Sequence, residues 1–360
     1  MKKKKYISTI IILILLVFVF AILAFLVKRN DDKNNIDALQ KISSDNQISS
    51  QMFISSENES ADEKQPVLSE IEKEKAKPIT ILGAGDNLIH TGIYLQASRR
   101  ANGNGYSFDY AYENVAEYVG SADISCLNQE TPLTDFFEPS SYPMFNCPTK
   151  MGLQMIDIGF DVINQANNHA LDKGENGVKY TIEFWDSVKD KAKMIGMYKN
   201  KQDEENVCII DKDGTKISFV SYTQHTNGLS LPKSSEFVVS NENNIIERIK
   251  KAKSLSDIVV VNAHWGEEYT FTPNDKQKSM ANEMVMAGAD IIFGHHPHVL
   301  QPIEYIEKPD GKKAVVIYSL GNFISAQDKA KSMLGGLATV TVSKEDGVTS
   351  CDFMPIITHF

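Results

Sequence analysis

The chain has 360 residues, a formal net charge of −10 and a hydrophobic content of 42%. This length is enough for one large domain or two small ones with a buried core. The acidic balance argues against a nucleic-acid partner, because phosphate binding needs a basic face. It does not exclude a polyanionic substrate, because bound metal ions can supply local positive charge.

The first 29 residues have the pattern of a membrane anchor. Four lysines at positions 2–5 precede an uncharged and almost wholly apolar run over residues 7–27. About 20 apolar residues are enough for a helix to cross a bilayer, and no clear small-x-small cleavage site follows the run. The lysines favour a cytoplasmic N-terminus. We therefore expect residues 1–29 to be a single-pass signal anchor of the cell membrane, with the later chain extracytoplasmic. The alternative is a signal peptide with a mature N-terminus near residue 30.

Residues 30–76 consist mainly of Asn, Asp, Ser, Gln, Lys and Glu. A segment with so few apolar residues cannot bury enough surface to fold by itself, so we expect a flexible polar stalk. Residues 77–360 are expected to form the folded domain. There, apolar strands and helices alternate before the chain closes in strands alone, which is typical of an α/β fold with sheet packed on sheet.

Hydrophobic periodicity gives the elements of this domain in chain order. Strands are predicted at 79–82, 123–127, 161–165, 257–262, 291–293, 299–305 and 314–318, and helices at 108–119, 151–158, 176–190, 242–252 and 276–286. A hairpin within 207–222 is predicted to turn at Asp213 and Gly214. The four cysteines form no Cys-x-x-Cys pair, which excludes a zinc ribbon or a thioredoxin-like site. A Cys126–Cys147 disulfide stays open for a domain outside the membrane.

Polar side chains that can bind metals follow five of the predicted strands. In chain order they are Asp86 with His90, Glu130, Asn168 with His169, His264, and the cluster His295, His296 and His298. Each is a weak signal alone, since an Asp after a strand is usually a turn or helix cap. Together they are expected to meet at one edge of a sheet, where α/β folds place ligands. Before the histidine cluster, Gly294 is expected to let the backbone turn.

The mixture of ligand types indicates the chemistry. Carboxylate, amide and imidazole ligands without thiolates suit Mn, Fe or Zn. The set is large enough for two divalent ions, which can lie about 3.5–4 Å apart, share a carboxylate and activate water. A further histidine can protonate a leaving oxygen or stabilise developing charge.

The order of these motifs resembles the calcineurin-like metallophosphoesterase superfamily and, more narrowly, the CapA/PgsA family of poly-γ-glutamate capsule synthesis. The resemblance covers roughly residues 78–323 and implies a four-layer αββα sandwich. It rests on Gly-Asp at 85–86, Asn-Gln-Glu at 128–130, Asn-Asn-His-Ala-Leu-Asp-Lys-Gly at 167–174, His-Trp-Gly-Glu-Glu-Tyr at 264–269, Gly-His-His-Pro-His at 294–298 and Tyr-Ser-Leu-Gly-Asn-Phe at 318–323.

The resemblance also implies a role for each motif residue. One metal would be held by Asp86, His90 and His298, and the other by Asn168, His264 and His296. Glu130 would bridge the two metals. His169 would be the general acid or charge stabiliser, with Asp172 to orient it, and Asn322 would lie near the pocket. His295 competes with His296 as a ligand, because it keeps the superfamily's spacing from the glycine.

Three functions are consistent with these motifs. The first is a membrane-anchored extracytoplasmic protein of poly-γ-glutamate capsule or envelope-polymer assembly. It would work with membrane synthase and export proteins and cut an amide or phosphoester. The second is a cell-surface metallophosphoesterase or nucleotidase, and the third is a non-enzymatic scaffold of the export complex. The loops over residues 132–148 and 223–236 are expected to border the pocket or to contact partners.

Overall fold

A computed structural model describes residues 77–359 of the chain. The predicted anchor, its transmembrane helix and the stalk lie outside these residues. Within residues 77–359, no helix combines the length and hydrophobicity that crossing a bilayer requires.

The described residues alternate between strands and helices, as the hydrophobic periodicity predicts. The strands are β1 (Ile79–Asn87), β2 (Ile124–Gln129), β3 (Val162–Asn164), β4 (Lys193–Ile195), β5 (Met197–Tyr198), β6 (Cys208–Lys212), β7 (Thr215–Thr223), β8 (Val238–Val239), β9 (Ile258–His264), β10 (Ile291–His295), β11 (Leu300–Glu307), β12 (Lys313–Leu320), β13 (Asn322–Ile324), β14 (Leu334–Ser343) and β15 (Gly347–Ile357). The helices are α1 (Thr91–Arg100), α2 (Asp109–Tyr112), α3 (Ala116–Ser121), α4 (Lys150–Asp157), α5 (Gly174–Ser187), α6 (Lys201–Glu205), α7 (Ile245–Leu255), α8 (Asp275–Ala287) and α9 (Ala330–Met333).

Most strands belong to two sheets. The seven-stranded sheet has the order β15-β14-β1-β2-β3-β4, with β13 also paired to β1. The six-stranded sheet has the order β11-β12-β10-β9-β7-β6, and β5 pairs with β8 separately. Strands β1 to β4 run parallel to one another, and so do β7, β9, β10 and β12. Because parallel strands end at the same side of a sheet, each sheet has one edge of carboxyl ends.

The two sheets pack face to face and helices cover their outer faces. Between the sheets, Ile81 and Ile124 of the larger sheet share a core with Val260 and Phe293 of the smaller one. Phe293 lies so close to β1 that a Cβ at Gly83 would come within 2.4 Å of its ring. Truncating a core aromatic such as Phe293 to Ala is expected to cost about 3–5 kcal/mol.

Successive side chains along a strand point to opposite faces of its sheet, so the residues next to these core residues point to the outer faces. Leu82 and Leu127 pack with residues of helices α1 to α5. On the other sheet, Val259 and Ile292 pack with residues of α7 and α8. The resulting order of layers is helix, sheet, sheet, helix, the order that the predicted sandwich requires.

Local signals fix the helix that leads to the histidine cluster. The Asn274 side chain accepts a hydrogen bond from the backbone N–H of Gln277 (2.9 Å), and the Gln277 side chain accepts one from the N–H of Asn274 (3.0 Å). This reciprocal cap starts α8. The helix ends at Gly288, whose φ of 122° excludes most side chains. Strand β10 then begins at Ile291.

One prediction about this domain is wrong, and one pairing that the sequence left open is excluded. The helix predicted at 108–119 is two short helices, α2 and α3, although Tyr112 and Val119 are buried in one core as their spacing requires. The Cys126–Cys147 disulfide does not form, and both thiols are free and buried. Cys126 lies between the sheets, whereas Cys147 lies in the helix-covered core on the other face of the larger sheet.

Candidate metal centre

The predicted site residues come together where the carboxyl edges of both sheets meet. The larger sheet contributes Asp86 of β1, Glu130 directly after β2 and Asn168 four residues after β3. The smaller sheet contributes His264 and His295, the last residues of β9 and β10. The expectation of one edge of a single sheet is therefore wrong. The face-to-face packing of the sheets places their two edges side by side.

Two groups of side chains within residues 77–359 have ligand atoms that all lie within 4.8 Å of one another. One group is Asp86, Glu130 and His264, and the other is Glu130, His296 and His298. Every member is buried. Glu130 belongs to both groups, which is the position of a carboxylate that bridges two cations. The structure thus groups His298 with His296, whereas the family resemblance groups it with Asp86 and His90.

The surroundings of the Glu130 carboxylate show whether cations fit this site. It is fully buried, and no described residue shares a hydrogen bond with either of its oxygens. Its Oε1 atom lies 3.6 Å from His298 Nε2 and 3.7 Å from His264 Nε2. Burial, and next the charge of Asp86, raise the pKa of Glu130 well above its ordinary value. A buried carboxylate without a partner is strongly unfavourable, and a divalent cation between it and the imidazoles would compensate it. The residues fit divalent cations.

Asp86 is the permanent negative charge of the site. Burial alone would raise its pKa, but the adjacent His295 and His298 imidazoles outweigh burial and hold the pKa well below its ordinary value. Its Oδ1 accepts a hydrogen bond from Asn128 Nδ2 at 2.8 Å. Its Oδ2 lies 3.0 Å from His298 Nδ1. This contact fixes the His298 ring, with its Nε2 left toward Glu130, as carboxylates commonly orient metal-binding histidines.

His264 and His296 are neutral imidazoles at physiological pH. Burial lowers the pKa of His264 well below its ordinary value and that of His296 to about 3, and neighbouring histidines lower both further. Neutral imidazole has the free lone pair that a metal requires. His264 Nε2 lies 3.0 Å from Asn168 Oδ1, so these two predicted ligands are adjacent. The Nδ1 atom of His296 has no partner among the described residues.

Two histidines that the sequence offers as metal ligands lie beside the ligand groups but in neither of them. His90 Nδ1 is 3.1 Å from the Leu88 carbonyl oxygen and 3.3 Å from the Ala326 nitrogen. His295 Nδ1 is 3.5 Å from Asp86 Oδ1, and its Nε2 is 3.3 Å from Asn262 Oδ1. In the competition between the adjacent histidines, the grouping of ligand atoms therefore favours His296 over His295.

The backbone turn at the cluster is not made by Gly294, contrary to expectation. Positive φ angles occur instead at His296 (95°) and His298 (56°). A Cβ at Gly294 would lie 2.0 Å from the carbonyl oxygen of Tyr318. Gly294 is thus required by the close approach of β10 and β12. The backbone turns at the candidate ligands His296 and His298 themselves, and strained backbone of this kind is typical of functional sites.

His169 and Asp172 form a buried pair next to the ligand groups. His169 Nδ1 lies 2.8 Å from Asp172 Oδ2, which also accepts a hydrogen bond from the Phe145 N–H at 2.7 Å. An ionised carboxylate only accepts, so Nδ1 carries the proton and Nε2 is left for other contacts. The Phe145 ring contacts the rings of His90 (5.2 Å) and His169 (4.7 Å) edge-on. The loop over 132–148 therefore reaches the site.

Sequence reasoning missed two residues of the site. Asn128 contacts Asp86 and lies 3.4 Å from His264 Nδ1, while its own oxygen accepts a hydrogen bond from Asn164 (2.9 Å). It lies two residues before Glu130, and the period of a strand could have placed both on one face. The His225 ring lies 5.1 Å from the His296 ring. The sequence pointed to His225 only through the expectation that the loop over residues 223–236 borders the pocket.

The fold and the site define a two-sheet α/β protein with a buried cluster of His, Asp and Glu that suits divalent metals. The model of the bacterial capsule synthesis protein family PGA_cap matches residues 80–327. The chain belongs to this family, which confirms the CapA-like resemblance of its motifs.

Individual relatives agree with this assignment. The chain is 37% identical to the PGA biosynthesis protein CapA of Bacillus subtilis over 258 residues, 70% of this chain and 66% of that protein. It is 29% identical to the capsule biosynthesis protein CapA of Bacillus anthracis over 264 residues, 70% of this chain and 62% of that protein. The chain thus spans slightly less than two thirds of these relatives. A 5'-nucleotidase precursor from Thermus thermophilus superimposes with a TM-score of 0.49 at 14% identity, covering 78% of this chain and 55% of that one. The family assignment rests on the sequence matches.

Proposed function

We propose that this protein is a membrane-anchored, extracytoplasmic hydrolase or transferase of poly-γ-glutamate or a related anionic envelope polymer. It would use two divalent cations on a fold of metallophosphoesterase type and act with membrane synthase and export proteins. The observation that carries the catalytic part is the Glu130 carboxylate, which is buried between His264 and His298 and has no hydrogen-bond partner in the described part of the chain. The anchor rests on the lysines and the apolar run of residues 7–27.

Each residue of the site has a role in this proposal. Asp86, Glu130, Asn168, His264, His296 and His298 would hold the cations, with His90 and His295 beside them. Bound divalent cations of the Mn, Fe or Zn type polarise a carbonyl or phosphoryl oxygen and lower the pKa of water. Asp172 keeps the proton on His169 Nδ1 and stabilises the ring when it is charged. His169 Nε2 can then give a proton to the leaving nitrogen or oxygen.

A genetic experiment tests the biological part. Deleting the gene should change the amount and length of the envelope polymer, and the wild-type gene should restore both. A gene carrying His264→Ala should restore neither, with protein levels checked by immunoblot. An unchanged polymer after deletion would contradict the capsule function. Full restoration by His264→Ala would leave a scaffold that does not need the site.

The catalytic role is tested with the purified full-length chain and poly-γ-glutamate. Replacing His169 by Gln removes the proton donor, so we expect the cleavage rate to fall about 10²–10⁴-fold. Newly formed chain ends give the rate, and elemental analysis should show unchanged metal content. An unchanged rate would remove His169 from the mechanism. Faster turnover of a simple phosphodiester than of the polymer would favour the phosphoesterase alternative.

A further inference from the structure

Tyr269 lies beside the metal centre in a backbone conformation that bulky residues rarely adopt. Its φ is 62°, in the region that favours glycine. Its N–H donates to the carbonyl oxygen of Pro297 at 2.8 Å, so the loop of His296 and His298 holds this conformation. The ring centroid of Tyr269 is 6.1 Å from that of His298. Strained backbone that is held in place by its surroundings is concentrated at functional sites.

A chain of side-chain contacts also ties Tyr269 to the site. The Nδ1 atom of His298 lies 3.0 Å from Asn322 Oδ1, and Asn322 Nδ2 donates to Gln327 Oε1 at 3.1 Å. Gln327 Nε2 in turn donates to the Tyr269 hydroxyl at 3.3 Å. The phenol ring is therefore fixed at both its backbone and its hydroxyl end. A ring held in this way is a rigid platform at the edge of the metal centre.

Two lysines lie over this platform. The Nζ atom of Lys331 is 5.3 Å from the Tyr269 ring centroid and that of Lys329 is 5.9 Å away, both within the range of cation–π contacts. Lys331 Nζ also donates to the carbonyl oxygen of Tyr269 at 3.1 Å. Within residues 77–359, neither ammonium group lies within 4 Å of a carboxylate, whereas Lys253, Lys276 and Lys308 each form an ion pair. The acidic residues on this side are Glu268, next to Tyr269, and Asp328, next to Lys329, and both are exposed.

We propose that Lys329 and Lys331 form a subsite for an anionic group of the substrate, positioned on Tyr269 beside the metal centre. The inference rests on the proposed function. In a chain of net charge −10, an anionic polymer needs a local excess of positive charge to approach the site. Ammonium groups bind carboxylates and phosphates as point charges, so the ligand class is a carboxylate or a phosphate.

The test measures polymer binding to the full-length chain in the presence of a chelator, which removes any contribution from metal. The probe is fluorescently labelled poly-γ-glutamate, followed by anisotropy, and a parallel arm uses labelled polyphosphate. Replacing Lys329 and Lys331 by Ala should weaken binding roughly 10- to 100-fold, as expected from the loss of two charged contacts. Replacing both by Arg should preserve binding.

The control is a variant with the same change of charge away from the site. Lys216 near the start of β7 and Lys313 at the start of β12 are both exposed and lie at the amino ends of their strands, opposite the carboxyl edge that carries the site. Their replacement by Ala should change the affinity less than about twofold, because exposed distant charges are screened. Glu268→Gln should tighten binding, because it removes a negative charge beside the lysines. Equal affinities for the two double Ala variants would overturn the subsite.

The two probes separate this inference from the proposed function. If only polyphosphate binds, and the Lys329 and Lys331 variant loses that binding, the subsite stands and the poly-γ-glutamate assignment fails. If poly-γ-glutamate binds equally to wild type and the variant, the subsite fails and the capsule function stands. If neither polymer binds the wild type, the subsite is overturned.

Discussion

Glu130 and Glu204 are both buried glutamates, but the chain surrounds them in opposite ways. Glu204 in α6 accepts hydrogen bonds from Ser240 Oγ (2.8 Å) and Asn244 Nδ2 (3.4 Å) and from Lys201, and Arg248 Nη1 lies 3.7 Å from its Oε1. Glu130 has no such partner among residues 77–359.

Their pKa values shift in opposite directions for this reason. Burial alone would raise the pKa of Glu204, but hydrogen bonds from Lys201 and Ser240 outweigh burial and lower it. At Glu130, burial and the charge of Asp86 raise the pKa. The described chain thus supplies partners for the Glu204 carboxylate and none for the Glu130 carboxylate, which is therefore the candidate to bind a cation. The four predictions below test this difference, beginning with the largest expected effect.

Metal affinity should depend on Glu130 and not on Glu204. We expect Glu130→Gln to weaken divalent-metal binding more than about 100-fold, the upper range for the loss of an outer partner of a ligand. Glu204→Gln should leave the metal affinity unchanged, because the partners of Glu204 described above are not candidate metal ligands. Competition with a metal-indicator dye, with the full-length chain, measures both affinities. Equal losses in the two variants would show that the comparison is false.

Removing metal should lower the stability of the wild-type chain. At a metal concentration 100 times the dissociation constant, binding adds about 2.7 kcal/mol to the free energy of unfolding, and a chelator removes this increment. The increment should persist in Glu204→Gln and vanish in Glu130→Gln. Urea unfolding with and without chelator measures it. A persistent increment in Glu130→Gln would place the metal elsewhere.

With chelator present, the order of the two variants should reverse. Glu204→Gln should destabilise the chain by about 2 kcal/mol, less than for a wholly buried pair because Arg248 keeps other partners. Those partners are the Ser221 carbonyl oxygen and Ser240 Oγ, each at 2.9 Å. Glu130→Gln should be neutral or stabilising, because it removes the cost of burying a carboxylate that has no partner among residues 77–359. The same unfolding experiment decides, and a large loss from Glu130→Gln would reveal a structural role.

The smallest expected effect is the pH dependence of these differences. The pKa of Glu204 is lowered by folding, so its stabilisation is present above the ordinary value of 4.5 and is lost as the pH falls through the lower, folded value. The pKa of Glu130 is raised, so in the metal-free chain its contribution is fully present below 4.5 and is lost as the pH rises toward the higher, folded value.

The free energy of unfolding of each variant should therefore approach that of the wild type in a different pH range. The stability difference between wild type and Glu204→Gln should shrink below about pH 4.5, and the advantage of Glu130→Gln should appear only above it. Urea unfolding in chelator from about pH 3 to pH 7 measures both. Parallel curves for the two variants would contradict the opposite pKa shifts.

The sequence could indicate the candidate ligand residues at the ends of strands, because those signals are local. An apolar run followed by Asp86 or by the histidine cluster is readable within ten residues, and so is the Asp213–Gly214 turn, where φ is 50° and 81°. It could not show that Asp86 and His264 come from different sheets. It also gave no sign that Cys126 and Cys147 lie on opposite faces of one of them.

By itself, the sequence determined the α/β order of elements, the family motifs and the kinds of ligand, because hydrophobic period and residue chemistry are properties of neighbours in the chain. Only the tertiary structure decided that Glu130 is shared by two ligand groups, that Glu204 is neutralised, and that Lys329 and Lys331 lie over Tyr269. These depend on contacts between distant segments, and the charge of a buried group is set by whichever partners the packing brings to it.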